Sequence, residues 1–154
     1  MIIKEVTPEE IPIWLTIVHE TDDIIARMVP DIAVFYMGLN DYMQKKVQQH
    51  EAFKAYDTIS QKCLGIIAFS RNDNRITNLG IPKSGNFQTI GSRLVEFALK
   101  ELDGTKEITA SVLDSKAGVF QKAHALYQHF SFIETNDKIM ENGVQVVRVK
   151  RGKT

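Results

Sequence analysis

A single cysteine, Cys63, stands among 154 residues, so the chain cannot close a disulfide within itself and suits a reducing compartment. Its apolar neighbours Leu64, Ile66 and Ile67 make it a small buried residue rather than a nucleophile. Neither sign of charge is in excess: 19 basic and 19 acidic side chains cancel, which removes the electrostatic footprint of nucleic-acid binding. The basic group Arg148, Lys150, Arg151 and Lys153 reads as a solvated tail. No apolar run approaches the roughly 20 residues that span a bilayer. The opening Met-Ile-Ile-Lys-Glu-Val lacks the charged-then-apolar order of a signal peptide. A cytoplasmic protein with no nucleic-acid or membrane partner is the expectation. The four histidines, His19, His50, His124 and His129, never fall four residues apart, so no metal site is indicated. Repeats, low-complexity segments and a nucleophile-elbow motif are absent too.

What remains is ordinary for one folded domain over residues 1–154: 44% hydrophobic and 25% charged. Ile2, Ile3 and Val6 form a β-prone segment that ends at Thr7-Pro8-Glu9-Glu10, a capping box with proline at the first helical position. Ile11, Trp14, Leu15 and Val18 then give a helix one apolar face, with Pro12 expected to distort its second turn. Ile24, Ile25 and Met28 suggest a second helical piece stopping near Pro30. Asp31 can cap a third helix that runs towards His50.

Beyond Glu51 the period turns to two. One strand is expected around Phe53 and Ala55, extending to Asp57 or Ile59, and a second over Cys63–Phe69. Arg71-Asn72-Asp73-Asn74 reads as a turn. After a helix ending at Asp103-Gly104, Ile108, Ala110 and Val112 alternate as a strand parallel to its predecessor by the crossover rule. Asp114 or Ser115 can cap a helix bearing Val119, Ala123, Leu126 and Phe130 on one side. Two divisions of the closing β-region stay open: strands joined through Asn136-Asp137, or a hairpin split at Asn142-Gly143.

The stretch Ile76–Leu99 organises the rest. Ile76, Leu79 and Ile81 form a strand, Lys83–Thr89 a polar loop, and Ile90, Leu94, Val95 and Ala98 recur at helical spacing. A helix opening from such a loop leaves backbone N–H groups without intrahelical partners at the positive end of its dipole, so residues 86–92 offer an anion cradle.

This loop resembles that of the GNAT superfamily of N-acetyltransferases, in which Gln/Arg-x-x-Gly-x-Gly/Ala amides hold the pyrophosphate of acetyl-CoA. The family's Gln/Arg falls on Asn86, its first Gly on Thr89 and its last Gly/Ala on Gly91, the one literal match. A second similarity lies in Ala123, Leu126, Tyr127 and Phe132, which keep their places in the family's Ala-x-x-Leu-Tyr-x-x-x-Gly-Phe, while Ser131 replaces Gly and Phe120 stands where Asn is common. The order of elements agrees along nearly the whole chain. The resemblance implies an α/β (α+β) fold with a mixed, mostly antiparallel sheet, helices on both faces, and acetyl-CoA between the strands that begin near Arg75 and Ile108.

It also implies acetyl transfer to a primary amine. The contacts would come from Leu79, Gly80 and Ile81 on a bulged central strand and from Asn86, Phe87, Gln88, Thr89, Ile90, Gly91 and Ser92 in the loop. Tyr127 is the implied acid, since a phenol of pKa near ~10 keeps its proton at neutral pH. A strand amide would meet the developing oxyanion. No base stands out among His19, Glu20, Asp22, Asp23, Tyr36 and Tyr42, although the acidic cluster could attract a cationic amine. A non-catalytic acyl-CoA-binding module of the same fold is the other reading, and the C-terminal β-region could pair with a second copy.

Overall fold

The computed structural model describes residues 1–153. Its strands are β1 (Ile2–Glu5), β2 (Ala52–Asp57), β3 (Lys62–Ser70), β4 (Arg75–Gly80), β5 (Ile108–Leu113), β6 (Ile133–Glu141) and β7 (Val144–Arg151). They form one sheet in the order β1-β2-β3-β4-β5-β7-β6. Every adjacent pair is antiparallel except β4 with β5, the parallel step that the intervening helix requires. The α/β class and the mostly antiparallel sheet match the expectation.

Helices α1 (Ile11–His19), α2 (Asp22–Ile25) and α3 (Ile32–Gln48) cover one face, and α4 (Phe87–Glu101) and α5 (Gly118–His129) the other. Each face has its own core. Trp14, Ile25, Phe35, Leu39 and Met43 pack with Ile66, Val144 and Val146 on the α1–α3 side. Ile90, Leu94, Val95, Leu126 and Tyr127 pack with Ile76, Ile108 and Val112 on the α4/α5 side. Alternation along β5 divides the two: Ile108, Ala110 and Val112 face α4 and α5, and Leu113 faces α1–α3.

Local signals decide most boundaries. Asp31 caps α3 through bonds from the Ala33 and Val34 amides. Thr7 donates both its N–H and its hydroxyl to Glu10 Oε1, but the capping box opens a single 3-10 turn, Pro8–Glu10, before α1. Pro12 therefore lies in the first turn of α1, where its missing N–H has no helical partner to lose, and the expected distortion does not arise.

One boundary, the start of α5, differs from expectation, and two that the sequence leaves open are decided. Strand β2 ends at Asp57, whose carboxylate accepts from Ile59 N and Ser60 Oγ and so starts the turn to β3. Helix α5 starts later than Asp114 or Ser115, with Ala117 as its cap residue; Ser115 Oγ accepts from Ala117 N, and Asp114 instead meets Gln145 and Lys138. The closing strands divide at Asn142-Gly143, both with positive φ (51° and 82°), as a two-residue hairpin turn demands. Asn136, at φ 62°, makes an irregularity inside β6 rather than a junction.

Glu10 also ties α1 to the sheet by pairing with Lys54, which is buried on β2. Burial alone would raise its pKa, but Lys54 and the two Thr7 donors outweigh that and hold the carboxyl below its usual range. A carboxyl with a depressed folded pKa contributes stability that is complete above the unfolded value, about 4.3, and lost as pH falls through the lower folded value. Glu10→Gln should lower stability at pH 7 and flatten the fall of the urea midpoint below about pH 4.3; an unchanged acid limb would contradict this coupling.

Candidate active site

The site begins with how β4 is held. Against β3 its register runs Ala68↔Asn78 and then Phe69↔Ile76, so Thr77 is an extra residue and β4 bulges there. Against β5 it pairs only at Arg75↔Thr109 and Ile76↔Ala110. Beyond Ile76 the strands part, and an opening runs between Thr77–Gly80 and Ser111–Leu113. The resemblance puts the bulge around Leu79–Ile81; it sits earlier, at Thr77, and Gly80 is not its cause. A Cβ on Gly80 would meet Ile17 Cγ2 at 3.4 Å, an ordinary contact.

Because of the bulge, two successive side chains turn to the same face. The Thr77 hydroxyl bonds the Tyr42 hydroxyl on α3, and Asn78 Oδ1 accepts from Trp14 Nε1 at 3.0 Å. Both bonds satisfy polar atoms inside the α1–α3 core, where an unpaired one would cost about 1–3 kcal/mol.

A cavity of about 430 Å³ fills the opening and is walled from both sides of the sheet. Ile81, Phe87, Phe120, Ala123 and Tyr127 line it on the α4/α5 side, and Ile17, Val18, Ile25, Phe35, Leu39 and Val146 on the α1–α3 side. Glu141 and Asn142 reach it from the β6–β7 hairpin, and Lys83 and Lys122 add positive charge.

Tyr127 is 2% exposed, lies edge-on to Phe132 with ring centroids 5.3 Å apart, and lines the cavity. Burial and, secondarily, Tyr42 push its pKa up, so its hydroxyl stays protonated across the neutral range. Tyr42 is shifted the same way, chiefly by burial; the Thr77 bond opposes this, while Glu141 and Glu51 add to it. Two protonated phenols thus approach the opening from opposite faces of the sheet.

At the loop, Asn86 caps α4: its Oδ1 accepts from Thr89 N at 3.0 Å, and its carbonyl from Ile90 N. Thr89 N, one amide of the expected cradle, is thereby occupied by the chain itself. Phe87 and Gln88, at the first two helical positions, have amides with no intrahelical acceptor. The turn before them is fixed by Gly85 N to Pro82 O and by Lys83 N to Glu20 Oε1, both 2.9 Å.

Of the residues singled out in the sequence, Leu79, Gly80, Ile81, Phe87 and Tyr127 line the cavity, whereas Asn86, Gln88, Thr89, Ile90, Gly91 and Ser92 do not. Ile90 is core. Gly91 has a packing role of its own, since a Cβ there would come within 2.7 Å of Leu126 Cδ2 on α5. Among the candidate bases, Glu20 lines the cavity, Asp22 pairs with His19 at 2.9 Å, and Tyr36 packs on the His19 ring at 4.2 Å. Asp23 is exposed and lies outside the lining. Cys63 stays outside the site, its thiol pKa raised by burial. The described residues contain no group of three His, Cys, Asp or Glu side chains able to hold a metal.

Polar lining residues that the sequence does not mark for the site include Thr77, Asn78, Ser111, Glu141 and Asn142. Glu141 was the accessible one. It stands two residues after Ile139 on the same side of β6 and immediately before the recognisable Asn142-Gly143 turn.

Comparison with known proteins agrees with the fold. The family profile described as acetyltransferase (GNAT) domain matches residues 5–151. No curated protein sequence matches. Among solved structures, the apo form of YjaB from Escherichia coli superposes with a TM-score of 0.68 at 16% identity, over 100% of each chain. A ribosomal-protein-alanine N-acetyltransferase from Brucella melitensis gives 0.63 at 11%, over 99% of each. The NatC complex bound to Gag peptide and CoA gives 0.59 at 18%, over 99% of this chain and 98% of that one. At these identities the structures speak for the fold alone.

If Gly91 serves helix packing, Gly91→Val should overpack the α4–α5 contact and cost about 1–3 kcal/mol in urea unfolding. A variant as stable as the parent would contradict that role.

Proposed function

Since this chain belongs to the GNAT family of acetyltransferases, which draw on acetyl-CoA, we propose that it passes the acetyl group to a primary amine, which attacks the thioester directly across the opening between β4 and β5. The observation that carries this reading is the parting of the two strands beyond Ile76↔Ala110, because it joins the two faces of the sheet through one cavity. A thioester bound from one face and an amine bound from the other can meet there.

The α4/α5 side suits the acetyl-CoA. The Phe87 and Gln88 amides stand at the positive end of the α4 dipole, and Lys83 and Lys122 line the cavity nearby, a combination fitted to a pyrophosphate. Asn86 and Thr89 contribute by shaping the turn rather than by side-chain contact, since Asn86 Oδ1 accepts from Thr89 N. Leu79, Gly80 and Ile81 lend main-chain groups along the free edge of β4, the fixed donors that a developing oxyanion needs. When bound, acetyl-CoA supplies an activated acyl group on a thiol leaving group.

Tyr127 is the residue suited to that leaving group. Its raised pKa makes complete proton transfer to sulfur unfavourable, so its contribution is a hydrogen bond donated to the sulfur as negative charge builds there. Removing one such donor typically costs 10²–10³ in rate, so Tyr127→Phe should lower kcat by roughly 100-fold. The KM for acetyl-CoA should hardly change. The assay is thiol release with saturating acetyl-CoA and a panel of primary amines. Undiminished kcat in the variant would remove Tyr127 from the mechanism, and no thiol release with any amine would overturn the amine assignment.

A further inference from the structure

The half of the cavity that faces α1–α3 carries more information than the site of transfer alone requires. Its walls are formed by Ile17, Val18, Ile25, Phe35, Leu39 and Val146, and of the polar side chains among them Thr21, Thr77, Asn78 and Ser111 are already bonded to Val18 O, Tyr42, Trp14 and Glu141. Only two acidic side chains reach the lining, Glu20 and Glu141. Glu20 lies at the loop, where its Oε1 accepts from the N–H of Lys83, a residue whose positive charge also lines the cavity. Glu141 is held differently. Its Oε1 accepts from Ser111 Oγ at 3.0 Å and from an Arg148 terminal nitrogen at 2.8 Å, which leaves Oε2 without a hydrogen-bond partner among the described residues. Arg148 does not line the cavity; it fixes the carboxylate from the side while Glu141 faces the space.

We propose that the acceptor is a monoamine with an apolar body, and that Glu141 receives its ammonium group. This rests on the amine reading above and narrows it. One carboxylate oxygen set in an aliphatic wall matches one cationic nitrogen followed by carbon. A second ammonium, as in a polyamine, would have to lie against that wall unpaired or reach Glu20 at the loop, where Lys83 already brings like charge into the cavity, and desolvating a charge without a full partner is costly. The neighbouring acids do not reach the cavity: Asp22 pairs with His19, and Asp23 is exposed. A peptide acceptor meets a similar difficulty through its amide groups, which need hydrogen-bond partners where Thr21, Thr77, Asn78 and Ser111 are already bonded within the chain. Glu141 is a binding residue here; Ser111 and Arg148 position it.

The test is a thiol-release assay on the full chain with 2-phenylethylamine, hexylamine, ethanolamine, spermidine and a tripeptide with a free amino terminus. The two apolar monoamines should exceed the other three in kcat/KM by about tenfold or more, the effect of one well-matched apolar and charged contact set. Glu141→Gln should raise the KM for those amines by a similar factor, with the KM for acetyl-CoA unchanged, a split that a merely structural role would not produce. Should that variant fail to fold by circular dichroism, the parent protein decides through thermal shift. There 2-phenylethylamine should raise Tm and 2-phenylethanol, of the same shape without the charge, should not. Preference for spermidine or the peptide, an unmoved amine KM in Glu141→Gln, or equal shifts from the alcohol and the amine would overturn the inference and leave amine acetylation standing. Thiol release with none of the five would overturn both.

Discussion

Everything distinctive about this molecule depends on one irregularity of hydrogen bonding, the extra residue Thr77 on β4. A parallel neighbour must stay in register to keep its ladder, and β4 leaves that register after Ile76 to satisfy the bulged pairing with β3. The sheet therefore opens in its middle rather than at an edge. Elsewhere β5 is fully paired on its other side with β7, from Ile108↔Arg151 to Leu113↔Val146, so the gap is local. An unclosed ladder inside a sheet exposes main-chain polar groups that need partners, and a ligand able to hydrogen-bond in the gap supplies them.

Around the gap, polar side chains are held in pairs or triads within otherwise apolar surroundings. Trp14 with Asn78, Tyr42 with Thr77, and Glu141 with Ser111 and Arg148 all lie on the α1–α3 face. Each pair ties a helix or the β6–β7 hairpin to one lip of the opening, so the lips cannot simply close without leaving buried polar atoms unsatisfied. The α4/α5 face is held by different means. There Gly91 lets α4 approach α5 at Leu126, and that packing sets the position of Tyr127 one residue further along. Rigid packing on one side and polar pairing on the other give a fixed opening between two cores.

The sequence made the elements legible and the site only half so, for a physical reason. Caps, turn residues and periodicity act over a few residues, which is why Asp31, Asn142-Gly143 and the parallel step into β5 could be read directly. A bulge is a relation between two strands, and Thr77 has nothing in its own neighbourhood to betray it; Gly80 drew attention because glycine is a local signal. The loop before α4 shows the same limit. Asn86 and Thr89 were matched to ligand-binding positions by spacing, yet an Asn three residues before an amide at a helix start is also a cap, and here the cap is made. Gly91 matches the family's pattern, but its closest constraint in this chain comes from Leu126, 35 positions away in no local pattern. Tyr127 was found because two signals, helix periodicity and the family's order of elements, converged on it.

The central claim is that the gap beyond Ile76↔Ala110 is where the two substrates meet. Crystals grown with CoA test it most directly. The account predicts the pantetheine arm lying between β4 and β5, the pyrophosphate at the Phe87 and Gln88 amides, and the sulfur within direct hydrogen-bond reach of the Tyr127 hydroxyl. CoA bound elsewhere with that gap empty, or a sulfur on the far side of the sheet from Tyr127, would contradict it.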